Sequence, residues 1–208
     1  MNIKSRVLLL TAMSVCTTFI YAQEPTAQKV EGTPYLNDSY VEGEIYFGET
    51  GLTKAPVRYN IYKDYVEYQQ NGKALALDPS QKIKKIQMGE ETFIVEKVVI
   101  DGKPKFGFVS LLDSGRVTLF SKKRIRYQAP LKGRASDDGD LPARYSRLAD
   151  AYFYKIGTGE LKELNNMKDL IANLPDKQDE LKQYAKKEKI NAKKENELRQ
   201  LIRYYNSL

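Results

Sequence analysis

Residues 65–77 read YVEYQQNGKALAL, and the turn at the centre of this stretch decides the fold that we expect. Asn71 and Gly72 separate two short runs, and this dipeptide readily adopts the positive φ angles that a two-residue β-hairpin requires. The stretch therefore predicts two antiparallel strands, Tyr65 to Gln70 and Lys73 to Leu77, joined by a tight turn.

The same kind of turn recurs along the chain. Asp101-Gly102 and Asp113-Ser114-Gly115 lie between further runs, several of which alternate apolar and polar residues as strands with one wet face do. This pattern predicts an antiparallel meander of about eight or nine strands in a β-rich domain at 40–160. The predicted strands are Val57 to Tyr62, Tyr65 to Gln70, Lys73 to Leu77, Lys82 to Met88, Phe93 to Ile100, Lys105 to Leu111, Val117 to Phe120, Arg124 to Tyr127 and Ala151 to Ile156.

The hydrophobic period changes to that of a helix after the turn at Gly157-Thr158-Gly159. Two sets of apolar residues then fall at positions i, i+3, i+4 and i+7, and each set predicts an amphipathic helix. A middle helix is expected to begin at Pro175 and Asp176, since proline suits the first turn and an acid suits the positive end of the helix dipole. The apolar faces are Met167, Leu170, Ile171 and Leu174; Leu181, Tyr184 and Ala185; and Leu198, Leu201, Ile202 and Tyr205.

These helices occupy a C-terminal segment at 165–208, which is short for a unit that folds alone. Their apolar faces need a partner, and the nearest apolar surface is the sheet. We therefore expect one α+β unit in which about three helices pack on the sheet. Dimerisation through the stripe of apolar residues is the alternative.

The first 22 residues have the pattern of an export signal. Lys4 and Arg6 precede an uncharged run, and Ala22 offers a small residue for cleavage before Gln23. The uncharged run is too short to cross a bilayer core comfortably, because about 20 residues are needed. We expect a signal peptide at 1–22 and a periplasmic mature chain with no transmembrane segment.

The residues that follow the signal are polar. Pro25, Gly32 and Pro34 interrupt any regular period there. This composition predicts a flexible lead-in at 23–39. Order is expected to begin near Tyr40.

Several residue types that carry enzyme chemistry are absent or misplaced. The chain has no histidine, and its single cysteine, Cys16, lies in the predicted signal. The mature chain therefore lacks disulfides, cysteine and histidine metal ligands, and histidine acid–base catalysis. Two glycine pairs have the spacing of a phosphate loop, but Glu49 and Phe108 stand where its lysine belongs. The sequence predicts no cofactor and no metal site.

Carboxylates leave one catalytic alternative open. A glycosidase needs only two carboxyl groups held about 5 to 10 Å apart, and no pair in this chain stands out by its spacing. Asp137, Asp138 and Asp140 carry carboxylate oxygens of the kind that bind calcium. They lack the alternating loop of calcium sites, however, and are typical of a surface turn.

Tyrosines form the first candidate binding surface. Tyr59, Tyr62, Tyr65 and Tyr68 recur at every third residue. Because side chains alternate along a strand, Tyr59 and Tyr62 are expected on opposite faces, so the four do not form one platform. Most are typical of half-buried sheet residues. The exposed members, for which we take Tyr62 and Tyr65, are candidates for stacking on a sugar or binding a peptide.

Basic residues form the second candidate surface. Lys122, Lys123, Arg124 and Arg126 lie within six residues of the sequence, in a chain with a formal net charge of +7. The alternative is an ordinary solvated face, as charge runs usually are. In an exported protein, a positive balance favours an envelope protein or an anionic envelope polymer over nucleic acid.

Four short phrases span the mature chain: GTPYLND at 32–38, RYNIY at 58–62, LPD at 174–176 and YYN at 204–206. Together with the signal that ends at Ala22-Gln23, they resemble a family of uncharacterised exported proteins from Bacteroidetes. The resemblance implies a Gram-negative envelope location and brings no activity, cofactor or site residue. Proteins of such bacteria that pass through their dedicated outer-membrane secretion route end in a β-rich sorting domain, so the helical end of this chain favours retention in the periplasm.

The sequence leads to one main hypothesis about function. We expect a non-enzymatic periplasmic module that binds a protein or an envelope polymer. The alternative is a carboxylate-dependent hydrolase that acts on glycans.

Overall fold

The structure is a computed structural model that describes residues 30–80, 82–100, 102–132 and 140–208. The predicted signal peptide, Asp137 and Asp138 lie outside the described residues. The strands are β1 Val30–Glu31, β2 Val41–Phe47, β3 Gly51–Asn60, β4 Tyr65–Gln70, β5 Lys73–Leu77, β6 Ile83–Met88, β7 Glu91–Ile100, β8 Lys103–Asp113, β9 Val117–Gln128, β10 Ala143–Ile156 and β11 Lys162–Glu163. The helices are α1 Met167–Asn173, α2 Gln178–Lys187 and α3 Glu195–Ser207.

The hairpins lie where the turn residues predict them. Asn71 and Gly72 have φ angles of 53° and 71°, and they connect β4 to β5 with Gln70 paired to Lys73. Gly102 has a φ of 73° between β7 and β8, which pair in antiparallel fashion. These positive φ angles are the ones that tight hairpins demand, and Gly or Asn supplies them at the lowest steric cost.

All described strands form one sheet with the order β1-β10-β9-β8-β7-β6-β2-β3-β4-β5, while β11 pairs with β10. The broad α+β prediction is confirmed. The sheet is mixed, however, because β1 runs parallel to β10. A purely antiparallel meander was therefore wrong in this detail. The parallel pair joins residues that are far apart in the chain, and no local turn in the sequence marks it.

Among the described residues the sheet has eleven strands rather than about eight or nine. The strands β1, β2 and β11 were missed, and β9 unites two runs that we predicted as separate strands. The predicted break fell at Ser121, Lys122 and Lys123. Ser121 and Lys122 are buried inside β9, where Lys122 has polar partners described below. Because those partners satisfy the charge of Lys122, the strand continues through this polar stretch.

The sheet is strongly curled. Along the strand order, β9 and β3 are five strands apart, so a flat sheet would separate them by about 24 Å. Asp64, in the turn after β3, nevertheless lies 2.9 Å from the ammonium of Lys122 in β9. The curl encloses a core that includes Ile45, Tyr59 and Phe108.

Residues 30–36 of the predicted lead-in lie against the sheet and link two distant strands. Val30 pairs with Ala143 in β10, and Tyr35 forms an antiparallel bridge with Asn60 at the end of β3. The Leu36 amide also donates to the Tyr59 carbonyl at 2.9 Å. This segment therefore ties β10 to β3 across the open side of the curl.

The three helices pack on β8, β9 and β10, as the sequence predicted. The apolar face of α3, Leu198, Leu201, Ile202 and Tyr205, is fully buried. It forms one core with Leu119 and Tyr154 from the sheet and with Leu170, Ile171 and Leu181 from α1 and α2. The middle helix begins at Gln178, a few residues later than predicted, because Lys177 takes a left-handed φ of 61°.

Leu201→Ala should lower the free energy of unfolding by about 2–5 kcal/mol, because it leaves a cavity where a Leu side chain is 0 % exposed. Leu208→Ala removes the same atoms from a side chain that is 39 % exposed, and should change stability by about 0.5 kcal/mol or less. Urea denaturation of both variants measures the difference. Similar values for the two would show that the α3 face is not buried as described.

Candidate functional site

Lys122 is an interior residue and not part of an exposed basic face. It is 9 % exposed. Its ammonium donates to both Asp64 carboxylate oxygens, at 2.9 and 3.0 Å, and to the Phe108 carbonyl at 2.9 Å. All three donors of the ammonium are thus occupied. Burial lowers the pKa of Lys122, against the opposing effect of Asp64.

Asp64 is held as firmly as its partner. It also accepts hydrogen bonds from the Tyr59 hydroxyl at 2.7 Å and from the Phe108 amide at 3.3 Å. On β8, Gly107 leaves room for the pair, because a Cβ there would lie 2.8 Å from an Asp64 oxygen and 3.1 Å from the Lys122 nitrogen. The charge of Lys122 is therefore committed to the fold.

Lys123 is also tied to neighbouring acids. Its ammonium lies 3.1 Å from Asp150 and 3.6 Å from Glu91, and its side chain is mostly buried. Burial disfavours the charge, but Glu91 and Asp150 together raise the pKa of Lys123. Two carboxylates do meet here, yet a lysine bridges them and neutralises part of their charge.

Arg124 and Arg126 are the exposed members of the predicted basic set. The Arg124 Nε donates to the Ala149 carbonyl at 2.8 Å, and its two terminal nitrogens bond to no other described residue. The two arginines alternate with inward residues along β9 and so share one face of that strand. Only half of the predicted basic set is therefore available for a partner.

Tyr62 belongs to an aromatic cluster that the sequence did not reveal. Its ring centroid lies 5.8 Å from that of Tyr127 and 5.3 Å from that of Tyr145, and the latter two are 5.0 Å apart. Tyr62 is 46 % exposed and Tyr127 is 39 % exposed. We call Tyr62, Tyr127 and Tyr145 the tyrosine platform. Tyr59 is buried on β3, whereas Tyr62 lies in the turn that follows this strand, so the alternation expected along one strand does not apply to this pair.

Three chain segments position the tyrosine platform. Tyr127 and Tyr145 are direct cross-strand partners on β9 and β10. Tyr62 comes from the turn after β3, where Asn60 accepts a hydrogen bond from the Lys63 amide at 2.9 Å. Burial and the two neighbouring tyrosines raise the pKa of Tyr145, so its hydroxyl stays protonated at neutral pH.

Tyr65 lies in a different cluster, which is centred on Glu67. The Glu67 carboxylate accepts hydrogen bonds from Tyr65 at 2.8 Å, Tyr35 at 2.7 Å, Tyr40 at 2.9 Å and Arg58 at 2.7 Å. The Arg58 guanidinium also stacks 3.6 Å from the Tyr35 ring centroid. Tyr65 and Tyr62 therefore do not form one surface.

The Glu67 carboxylate is strongly held in its charged form. Burial alone would raise its pKa, but the hydrogen bonds from Arg58, Tyr35, Tyr65 and Tyr40 lower it from 4.5 to about 2. The described residues hold no group of three or more acids, histidines or cysteines that fits a metal ion. Asp140, the described member of the predicted acidic loop, is in no such group.

Comparisons with protein-family models, with curated proteins and with solved structures found no match to this chain. Within the described ranges, no helix has both the length and the apolar character needed to span a bilayer.

Lys122→Met should lower the free energy of unfolding by about 3–5 kcal/mol, because it leaves the buried Asp64 charge without its cation. Combining Lys122→Met with Asp64→Asn should restore much of the loss, because it removes the unpaired charge. Arg124→Gln, on the same strand, is the control and should cost about 0.5 kcal/mol or less. Urea denaturation measures all three. A double variant less stable than Lys122→Met would contradict the paired-charge account.

Glu67 should make the free energy of unfolding depend on pH in the acid range. Its folded-state pKa is depressed, so its contribution is fully present above about pH 4.5, the ordinary value, and is lost as pH falls towards about 2. Glu67→Gln should remove this contribution, so the free energy of unfolding should fall less steeply as pH is lowered. Denaturation from pH 6 to pH 2 checks the prediction, with exposed Glu160→Gln as the control. An unchanged slope in Glu67→Gln would contradict it.

Proposed function

We propose that this protein is an exported, non-enzymatic binding module whose tyrosine platform binds an anionic envelope polymer built from sugar rings. The observation that carries the proposal is the grouping of three tyrosine rings, two of them well exposed, at one place on a rigid sheet. Exposed aromatic rings that are held in place are typical of recognition surfaces.

The geometry of the tyrosine platform suits an extended ring-containing ligand. The three rings are tilted at 45° to 69° to one another rather than stacked, so they present both faces and edges. Sugar rings have apolar C–H faces that pack on aromatic rings, while the tyrosine hydroxyls remain able to hydrogen-bond. Because Tyr127 and Tyr145 are cross-strand partners, little ordering is required on binding.

Charge around the tyrosine platform favours an anionic ligand. Each tyrosine has an exposed basic neighbour in the chain, namely Lys63, Arg126 and Arg144. Neighbours along a strand point to opposite faces, so on β9 and β10 these cations attract through space rather than form part of the platform. Their range is about 8 Å at physiological salt, which is enough to steer a charged polymer.

The carboxylates support a binding role over the hydrolase alternative. A glycosidase needs one acid whose pKa is raised so that it can donate a proton. The shifted carboxyl groups of Glu44, Glu67, Asp176 and Glu197 all have lowered pKa values. Glu91 and Asp150 are both bound by the ammonium of Lys123, which lies between them.

The location is part of the same proposal. The charged start, the uncharged run and Ala22 support export and cleavage, and the resemblance to exported Bacteroidetes proteins supports the periplasm. The intact mass of the exported protein tests it. Loss of residues 1–22 would support the location, and a mass that retains them or carries lipid on Cys16 would contradict it.

Co-sedimentation with isolated bacterial envelopes tests the ligand. Tyr127→Ala should weaken binding about fivefold or more, since a central aromatic contact contributes over about 1 kcal/mol. Tyr46→Ala is the matched control, because Tyr46 is a half-buried tyrosine on β2 away from the tyrosine platform. High salt should weaken binding of the original protein, because Lys63, Arg126 and Arg144 are then screened.

Three outcomes would overturn the proposal. Equal binding by the original protein, Tyr127→Ala and Tyr46→Ala would remove the tyrosine platform from the site. Binding that protease treatment of the envelopes abolishes would point to a protein partner instead. Release of reducing sugar ends with time would favour the hydrolase.

A further inference from the structure

A second candidate site lies on the other face of β9. Arg124 and Tyr127 are three residues apart on this strand, so they point to opposite faces. On the Arg124 side is a cavity of about 270 Å³. An apolar cavity of about 150 Å³ holds a benzene ring, so this one admits an aromatic side chain with room beside it. The cavity is separate from the tyrosine platform.

The floor of the cavity is apolar and rigid. Val98, Ala151 and Phe153 line it, and Val98 and Phe153 belong to a buried core cluster with Phe120. The cavity is thus a feature of packed strands and does not depend on a mobile loop.

The charges at the cavity are of opposite sign and are not paired with each other. Lys122 lines the cavity, but its charge is matched by Asp64. Arg124 and Glu163 also line it, and among the described residues neither has an oppositely charged partner within 4.0 Å. What remains available to a ligand is one cation and one anion.

The separation of these charges sets the length of the ligand. Glu163 on β11 is the cross-strand partner of Phe153 on β10, and Arg124 lies on β9 beyond it. Two strand spacings, together with the four residues along β9 between Phe120, the partner of Phe153, and Arg124, put their backbones roughly 16 Å apart. The ammonium and carboxylate of one amino acid are too close together to reach both. An extended tripeptide spans about 10 Å, and the side chains of Arg124 and Glu163, which both reach the cavity, cover the rest of the gap.

We propose that this cavity binds a short peptide with free ends and an apolar side chain. The peptide carboxylate pairs with the two terminal nitrogens of Arg124, which match the two oxygens of a carboxylate. The peptide ammonium pairs with Glu163. The apolar side chain packs on Phe153 and Val98. A simple anion is not favoured, because Glu163 would repel it.

Isothermal titration calorimetry with the tripeptide Ala-Phe-Ala tests the proposal. The original protein should bind it, and Arg124→Gln and Glu163→Gln should each weaken binding about tenfold, which corresponds to 1.4 kcal/mol. The controls are Lys168→Gln on α1 and Glu160→Gln near β11, both exposed and outside the cavity. These controls should bind as the original protein does.

N-acetylated Ala-Phe-Ala distinguishes a direct contact from a loss of structure. Acetylation removes the ammonium, so the original protein should bind this peptide about tenfold more weakly, and Glu163→Gln should cause no further loss. C-terminal amidation removes the carboxylate charge, so the original protein should bind the amidated peptide about tenfold more weakly, and Arg124→Gln should cause no further loss. The proposal would be overturned if the original protein did not bind the free tripeptide, or if the variants and the controls lost the same affinity. It would also be overturned if Glu163→Gln bound the acetylated peptide more weakly than the original protein does.

Discussion

The ion pair between Asp64 and Lys122 is the interaction on which the rest of the structure depends. It joins the turn after β3 to the middle of β9, two places that the strand order alone would hold about 24 Å apart. A buried ion pair contributes little net stability compared with an apolar pair, but it penalises every arrangement in which its members are separated. The pair therefore selects the curled sheet over flatter alternatives.

The curl brings the tyrosine platform together. Tyr62 is two residues from Asp64, so the interaction that anchors Asp64 also carries Tyr62 to Tyr127 and Tyr145. The segment at 30–36 adds a second tie, because the Tyr62 amide and Arg147 both bond to backbone carbonyls within it. The tyrosine platform is thus positioned by contacts between residues that are remote in sequence.

Local features of the fold could be predicted from the sequence, and long-range ones could not. Asn71-Gly72 specifies its hairpin through its own φ angles, and the spacing of Leu198, Leu201 and Ile202 specifies a buried helix face. In contrast, Lys122 resembles any other residue in a basic run, because its burial depends on Asp64, 58 residues away. Tyr145 lay outside every predicted strand, and only its pairing with Tyr127 reveals its place in the tyrosine platform.

The alternation of side chains along β9 explains how one strand can serve two sites. Tyr127 points to one face with Lys123, whereas Lys122 and Arg124 point to the other. A slip of the register by one residue would exchange these sets, put Lys123 or Ile125 in the place of Arg124 at the cavity and turn Tyr127 away from the tyrosine platform. Such a slip would also carry Lys122 away from Asp64 and leave a buried charge unpaired. The ion pair that curls the sheet therefore also holds β9 in the register that both candidate sites require.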